Sequence, residues 1–125
     1  MRSFLALILW FSGAIAGLAQ ELPVLLATEL DQLREKAGQE VVVEGDVVSV
    51  GKTANGSLTF INVGLPKKMG FVALVRQSSY RAFPEGFDGF KGQKVRLRGV
   101  ITIYRENQPQ IEVQSPDQIS IVNPS

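Results

Sequence analysis

Lys94, Arg96 and Arg98 stand two residues apart in "KVRLRGVITIYRENQPQIEV", and Tyr104 and Arg105 follow just before a turn. Cations at a spacing of two share one face of a strand. A cationic face with a ring beside it is the mix that holds single-stranded nucleic acid, with phosphates on the cations and bases on the ring. The same spacing also describes the solvent face of a strand whose partner carries acids. Catalytic chemistry has fewer candidates. The chain contains no His and no Cys, which removes the usual general base and the usual zinc ligands. Glu44 and Asp46 share a strand face, but no second cluster accompanies them, and the serines have no base. The residues point to binding without catalysis, metal or cofactor.

Charge and length narrow this further. The chain has 125 residues, enough for one domain with a modest core. "MRSFLALILWFSGAIAGLAQ" opens with Arg2, an apolar run from Phe4 to Phe11, and small residues at Gly17 and Ala19. That is the layout of a secretory signal over residues 1–19, cut after Ala19; an uncleaved anchor is the alternative. The run is too short and too interrupted for a membrane span, so none is expected in the mature chain. A periplasmic or secreted location follows. Taking Arg2 from the 13 Lys+Arg leaves 12 cations against 12 acids. A neutral mature chain lacks the basic excess of a dedicated duplex-DNA binder.

The elements that must position these residues are mostly strands. Residues 20–38 read as a lead and one short helix, with Thr28 as cap, Asp31 completing a capping box, and Gly38 as the stop. From residue 39 to 123 a β domain follows. "EVVVEGDVVSV" alternates, with Val41, Val43, Gly45 and Val47 on one face and Glu40, Val42, Glu44 and Asp46 on the other. "KTANG" is a turn, "SLTFINVG" a second strand, "LPKKMG" a loop and "FVALVRQ" a third strand. "SSYRAFPEGFDGFKGQ" reads as a turn or short helix and then coil, its aromatics Tyr80, Phe83, Phe87 and Phe90 plugging one end of a barrel. "KVRLRGVITIYR" is a long fourth strand, and "QIEVQSPDQISIV" closes as one strand or as two pieces split at Pro116. Gly45 and Gly99 lie in mid-strand, where glycine marks a bulge or barrel corner. The class is all-β with a short helix: a five-stranded Greek-key barrel of the OB-fold.

The ordered set "VVVEGDVVSV", "LTFINVG", "GFVALV", "GQKVRLRGVITIY" and "PQIEVQSPDQISIV" resembles the OB-fold family of the tRNA-anticodon, nucleic-acid-binding type. It is most similar to small exported bacterial OB proteins. The resemblance spans residues 37–122 and departs at the last hairpin, where Glu106-Asn107 stands in place of a Gly-Lys. Asn can still take the left-handed turn conformation, but a cation that would meet phosphate is gone. OB proteins bind polymers on the face of strands two and three, between the first and last hairpin loops. The resemblance therefore implicates Lys52 and Asn55, Phe60 and Asn62, Phe71 and Arg76, and Tyr104 and Arg105. For Phe60, core packing and stacking stand level; for Phe71, core packing is preferred.

In such a barrel the fourth strand pairs with the first. Lys94, Arg96 and Arg98 then face Glu40, Glu44 and Asp46, and this ladder accounts for the three cations without a ligand. Lys52, Lys67, Lys68, Arg76 and Arg105 remain without evident acidic partners, apart from Glu106 next to Arg105. With Tyr104 and Phe60 they would form a mildly basic groove, although Lys67 and Lys68 also suit a solvated loop tip. Two functions remain open: an exported, non-catalytic module for single-stranded nucleic acid, or a module for another envelope protein or a small ligand.

Overall fold

The computed structural model describes residues 21–66 and 69–123. The segment read as a secretory signal lies outside them, as do Lys67 and Lys68. Among the described residues, seven strands and one α-helix form in chain order: β1 (Val24–Leu26), α1 (Leu30–Glu35), β2 (Glu40–Lys52), β3 (Leu58–Val63), β4 (Phe71–Arg76), β5 (Lys94–Tyr104), β6 (Gln108–Glu112) and β7 (Ile119–Ile121). The five expected strands are β2 to β6. They make a ring in the order β2-β3-β4-β6-β5, closed by β2 against β5. All pairs in the ring are antiparallel except β4 with β6. The two short strands lie outside the ring. β1 pairs in parallel with β2, from the stretch expected to be only a lead. β7 follows Pro116 and pairs with β5, so the closing segment is the split version of the two readings.

The alternation in β2 and β5 decides which side is core. Val41, Val43, Val95 and Leu97 are fully buried, and Val47 is nearly so. Both long strands change partners midway. Residues 40–46 of β2 pair with residues 94–100 of β5, whereas residues 47–52 of β2 pair with β3. Residues 101–104 of β5 pair with β6. Glycine stands close to each change. A Cβ on Gly99 would lie 2.5 Å from Ile111 Cγ2, and one on Gly45 would lie 2.7 Å from Ala27 Cβ and 2.9 Å from Val63 Cγ1. These positions exclude a side chain for want of space, as barrel corners do. The register of β2 slips between Val47 and Ser49, so its bulge sits just past the glycine.

The ends of the ring are filled differently. Phe83 and Phe87 are buried, with ring centroids 4.9 Å apart, and Tyr80 and Phe90 pack against the same core. The aromatic segment between β4 and β5 thus plugs the barrel, using short 3-10 turns at Gln77–Ala82 and Asp88–Phe90. Elsewhere α1 buries Leu33 completely, and Arg34 Nε donates to the Asn107 carbonyl at 2.7 Å. Thr28 does not cap this helix. Glu29 holds the cap position without a side-chain bond. Ala27 is tied to β2 through its N–H to the Glu44 carbonyl, so the chain leaves the sheet late and the helix begins one residue on.

Candidate functional site

The outward sides of β3 and β4 form a groove of about 690 Å³, walled by the end of β2 and by the β5–β6 hairpin. Register explains its floor. Phe60 lies opposite Leu74, Asn62 opposite Val72, and Leu58 opposite Arg76. Val72 in turn lies opposite Gln110 on β6, and Tyr104 lies opposite Gln108 across the β5–β6 pair. These residues line one concave face together with Gly51, Lys52 and Arg105. Leu58, Phe60, Val72 and Leu74 supply an apolar floor. Lys52, Arg76 and Arg105 supply three cations, and no acid is among the described lining residues.

Six of the expected site residues meet here: Lys52, Phe60, Asn62, Arg76, Tyr104 and Arg105. Tyr104 is half exposed, and the Arg105 guanidinium lies 5.2 Å from its ring centroid. Phe60 is partly exposed in the groove wall. Asn62 is nearly buried, and its Nδ2 donates to Ser49 Oγ at 3.0 Å, which fixes the amide against β2. The Lys52 ammonium lies 5.5 Å from the Tyr80 ring centroid, a cation–π distance. Tyr80 is itself held fast. Its hydroxyl accepts from Thr59 Oγ1 at 2.9 Å and donates to the Gly56 carbonyl at 3.0 Å.

Arg76 was expected to be without an acid. Its Nε instead pairs with Glu112 Oε2 at 3.2 Å, across the parallel β4–β6 contact. Asn55 does not reach the groove. Its Oδ1 accepts from Thr53 Oγ1, Ser57 Oγ and the Ser57 N–H, and so builds the β2–β3 turn. Gly56 follows at φ 75° as the residue free to take the left-handed conformation. Phe71 is completely buried, on the core side of β4. Phe71 and Arg76 lie five positions apart along one strand, an odd offset, so they point to opposite faces, and only Arg76 reaches the groove. That same parity held the missed signal. Placing Arg76 in the groove also places Val72 and Leu74 there, and with them the apolar floor. In the last hairpin, Asn107 takes φ 63°, the left-handed conformation open to an asparagine there.

The three cations of the opening motif lie on another surface. Arg96 Nε is 3.7 Å from Glu44 Oε2, and Arg98 Nε is 2.9 Å from Glu40 Oε2. Lys94 stands opposite Asp46 in the register. The charged strand is therefore a ladder against β2, as its alternation implied.

Solved structures share this architecture. One is OBody AM3L09 bound to hen egg-white lysozyme, with TM-score 0.54 and 18% identity, covering 79% of this chain and 97% of that one. The fold is an OB barrel. Another is the aspartyl tRNA synthetase from Entamoeba histolytica, with TM-score 0.51 and 16% identity, covering 97% of this chain and 28% of that one. A Leishmania major protein described as an aspartyl-tRNA synthetase gives TM-score 0.52 at 12% identity, covering 82% of this chain and 21% of that one. The chain thus spans between 21% and 28% of the length of these two synthetases. At these identities the likeness is one of fold. No protein-family model and no curated protein sequence matches the chain.

Proposed function

We propose that this OB barrel is a non-catalytic binding module whose ligand lies across β3 and β4, and that the ligand is single-stranded nucleic acid. The observation that carries this reading is the composition of the groove: three cations, a half-exposed tyrosine, a partly exposed phenylalanine and no acid among the described lining residues. Bases stack on rings and cations track phosphates, without any need for sequence readout. The groove also occupies the surface on which OB folds hold oligonucleotides. A chain with neither His nor Cys favours holding a ligand over transforming one. The N-terminal pattern favours export to the periplasm or beyond, with a mature chain starting at Gln20; intact-mass analysis of an extracytoplasmic fraction checks this.

A second reading has its own support in the apolar floor of Leu58, Phe60, Val72 and Leu74. Such a floor suits a protein segment, and the OBody neighbours were solved with lysozyme bound. One experiment separates the two. Oligonucleotide binding by the chain from Gln20 is titrated against salt, with an unlabelled peptide library as the other arm. Affinity that falls with salt at a slope of about −0.7 per phosphate contact supports the nucleic-acid reading. No oligonucleotide binding even at low salt, where phosphate contacts are strongest, overturns it in favour of the protein partner.

A further inference from the structure

The groove does not stop at Arg76. A second cleft of about 720 Å³ begins on its far side and shares Arg76 and Gln110 with the first. The two differ sharply in charge. The second cleft is lined by Glu40, Glu112 and Asp117 as well as by Arg76 and Arg98, whereas the first has no acid among its described lining residues. Arg76 stands at the boundary, and Glu112 holds it. The two side chains are separated by 3.2 Å and are about 55% and 33% exposed. The bond from Gln118 Nε2 goes to the Glu112 carbonyl and leaves the carboxylate to Arg76.

We propose that Glu112 is a specificity-determining residue that limits the grip of the groove on an anionic ligand, by keeping Arg76 neutralised and by closing the groove to phosphates beyond it. This rests on the nucleic-acid reading above. The physical reasoning is one of ion exchange. A phosphate contact gains affinity by releasing the ion already condensed beside it. A cation that has a carboxylate as its counterion must first give that up. An exposed pair of this kind is held only weakly, so Arg76 remains exchangeable, at the cost of breaking its contact with Glu112. Lys52 and Arg105 rest on aromatic rings.

The test is the E112Q variant, which preserves size and removes the charge, measured with a fluorescent single-stranded oligonucleotide over a range of salt. Binding at low salt should tighten about three- to five-fold, and the salt slope should steepen by about 0.7, the value of one added phosphate on a single strand. In an R76A background the same E112Q change should give neither effect. A merely structural role for Glu112 would lower the melting temperature and leave the slope alone. An E112Q chain that binds equally or more weakly, while the natural chain binds and loses affinity on Tyr104→Ala, overturns this proposal and leaves the groove reading standing. A natural chain that does not bind, or that ignores Tyr104→Ala, overturns both.

Discussion

Two surfaces of this barrel carry cations and use them in opposite ways. On the outer face of β2 and β5, arginines meet glutamates across an antiparallel register, Arg98 with Glu40 and Arg96 with Glu44. On the face of β3 and β4, the cations rest against rings or, in one case, against an acid from the neighbouring parallel strand β6. The first arrangement satisfies charge within the fold. The second leaves charge available beside an apolar floor. A strand alone does not choose between them. β5 contributes Arg96 and Arg98 to the ladder before its corner and Tyr104 to the groove after it. The partner strand on each side of Gly99 makes the difference.

Breaking that corner should have the largest effect. In Gly99→Val the new side chain meets Ile111 and the Gln118 amide, which bonds the carbonyls of both Arg98 and Glu112. Overpacking of this kind costs about 3 kcal/mol, read as a lowered denaturation midpoint. Gly51→Ala is the control, because a Cβ there has nothing within 4 Å and should leave the midpoint within about 0.5 kcal/mol. If the two variants are equally stable, the corner does not constrain the barrel as described. Next in size is the contrast between the surfaces as ligand sites. Tyr104→Ala should weaken oligonucleotide binding by about 2 kcal/mol, the worth of one stacked base, with the melting temperature little changed. Arg96→Ala should leave binding almost untouched. The reverse ranking would move the site to the ladder.

The smallest effect sharpens the ladder itself. Arg96→Glu sets like charges face to face and should cost about 0.5–1 kcal/mol of stability. Adding Glu44→Lys should restore part of that loss. A double-mutant cycle with no coupling energy would mean that the 3.7 Å contact contributes nothing in solution.

How much of this was legible beforehand differs between the two surfaces for a physical reason. The ladder was readable because it depends on period-two alternation and on one antiparallel register, both local properties of β2 and β5. Buried Val41, Val43, Val95 and Leu97 and both mid-strand glycines followed from the same pattern. The groove was readable only in part. Lys52, Phe60, Asn62, Arg76, Tyr104 and Arg105 came from the fold's habitual site, but the partner of Arg76 did not, because it arrives through a parallel pairing that no turn announces. "FVALVR" is apolar on both faces, so composition did not separate the core residue Phe71 from the floor residues Val72 and Leu74. β1 was hidden for a similar reason. Three residues are too short to display a period, and they are held in place by β2 rather than by their own pattern.

The closure of the ring has a kinetic side. β2 meets β3 through a tight turn, but its first half waits for β5, with Glu40 set against Val100 in the final register. Pairings so distant along the chain form late and slow the folding of barrels. Until β5 arrives, the valine-rich stretch from Val41 onward has one edge without its native partner, and such a segment is prone to join a second copy of itself. Glu40, Glu44 and Asp46 then act as gatekeepers. Three like charges on one face repel an identical strand, and the same carboxylates attract Lys94, Arg96 and Arg98 when the correct partner comes.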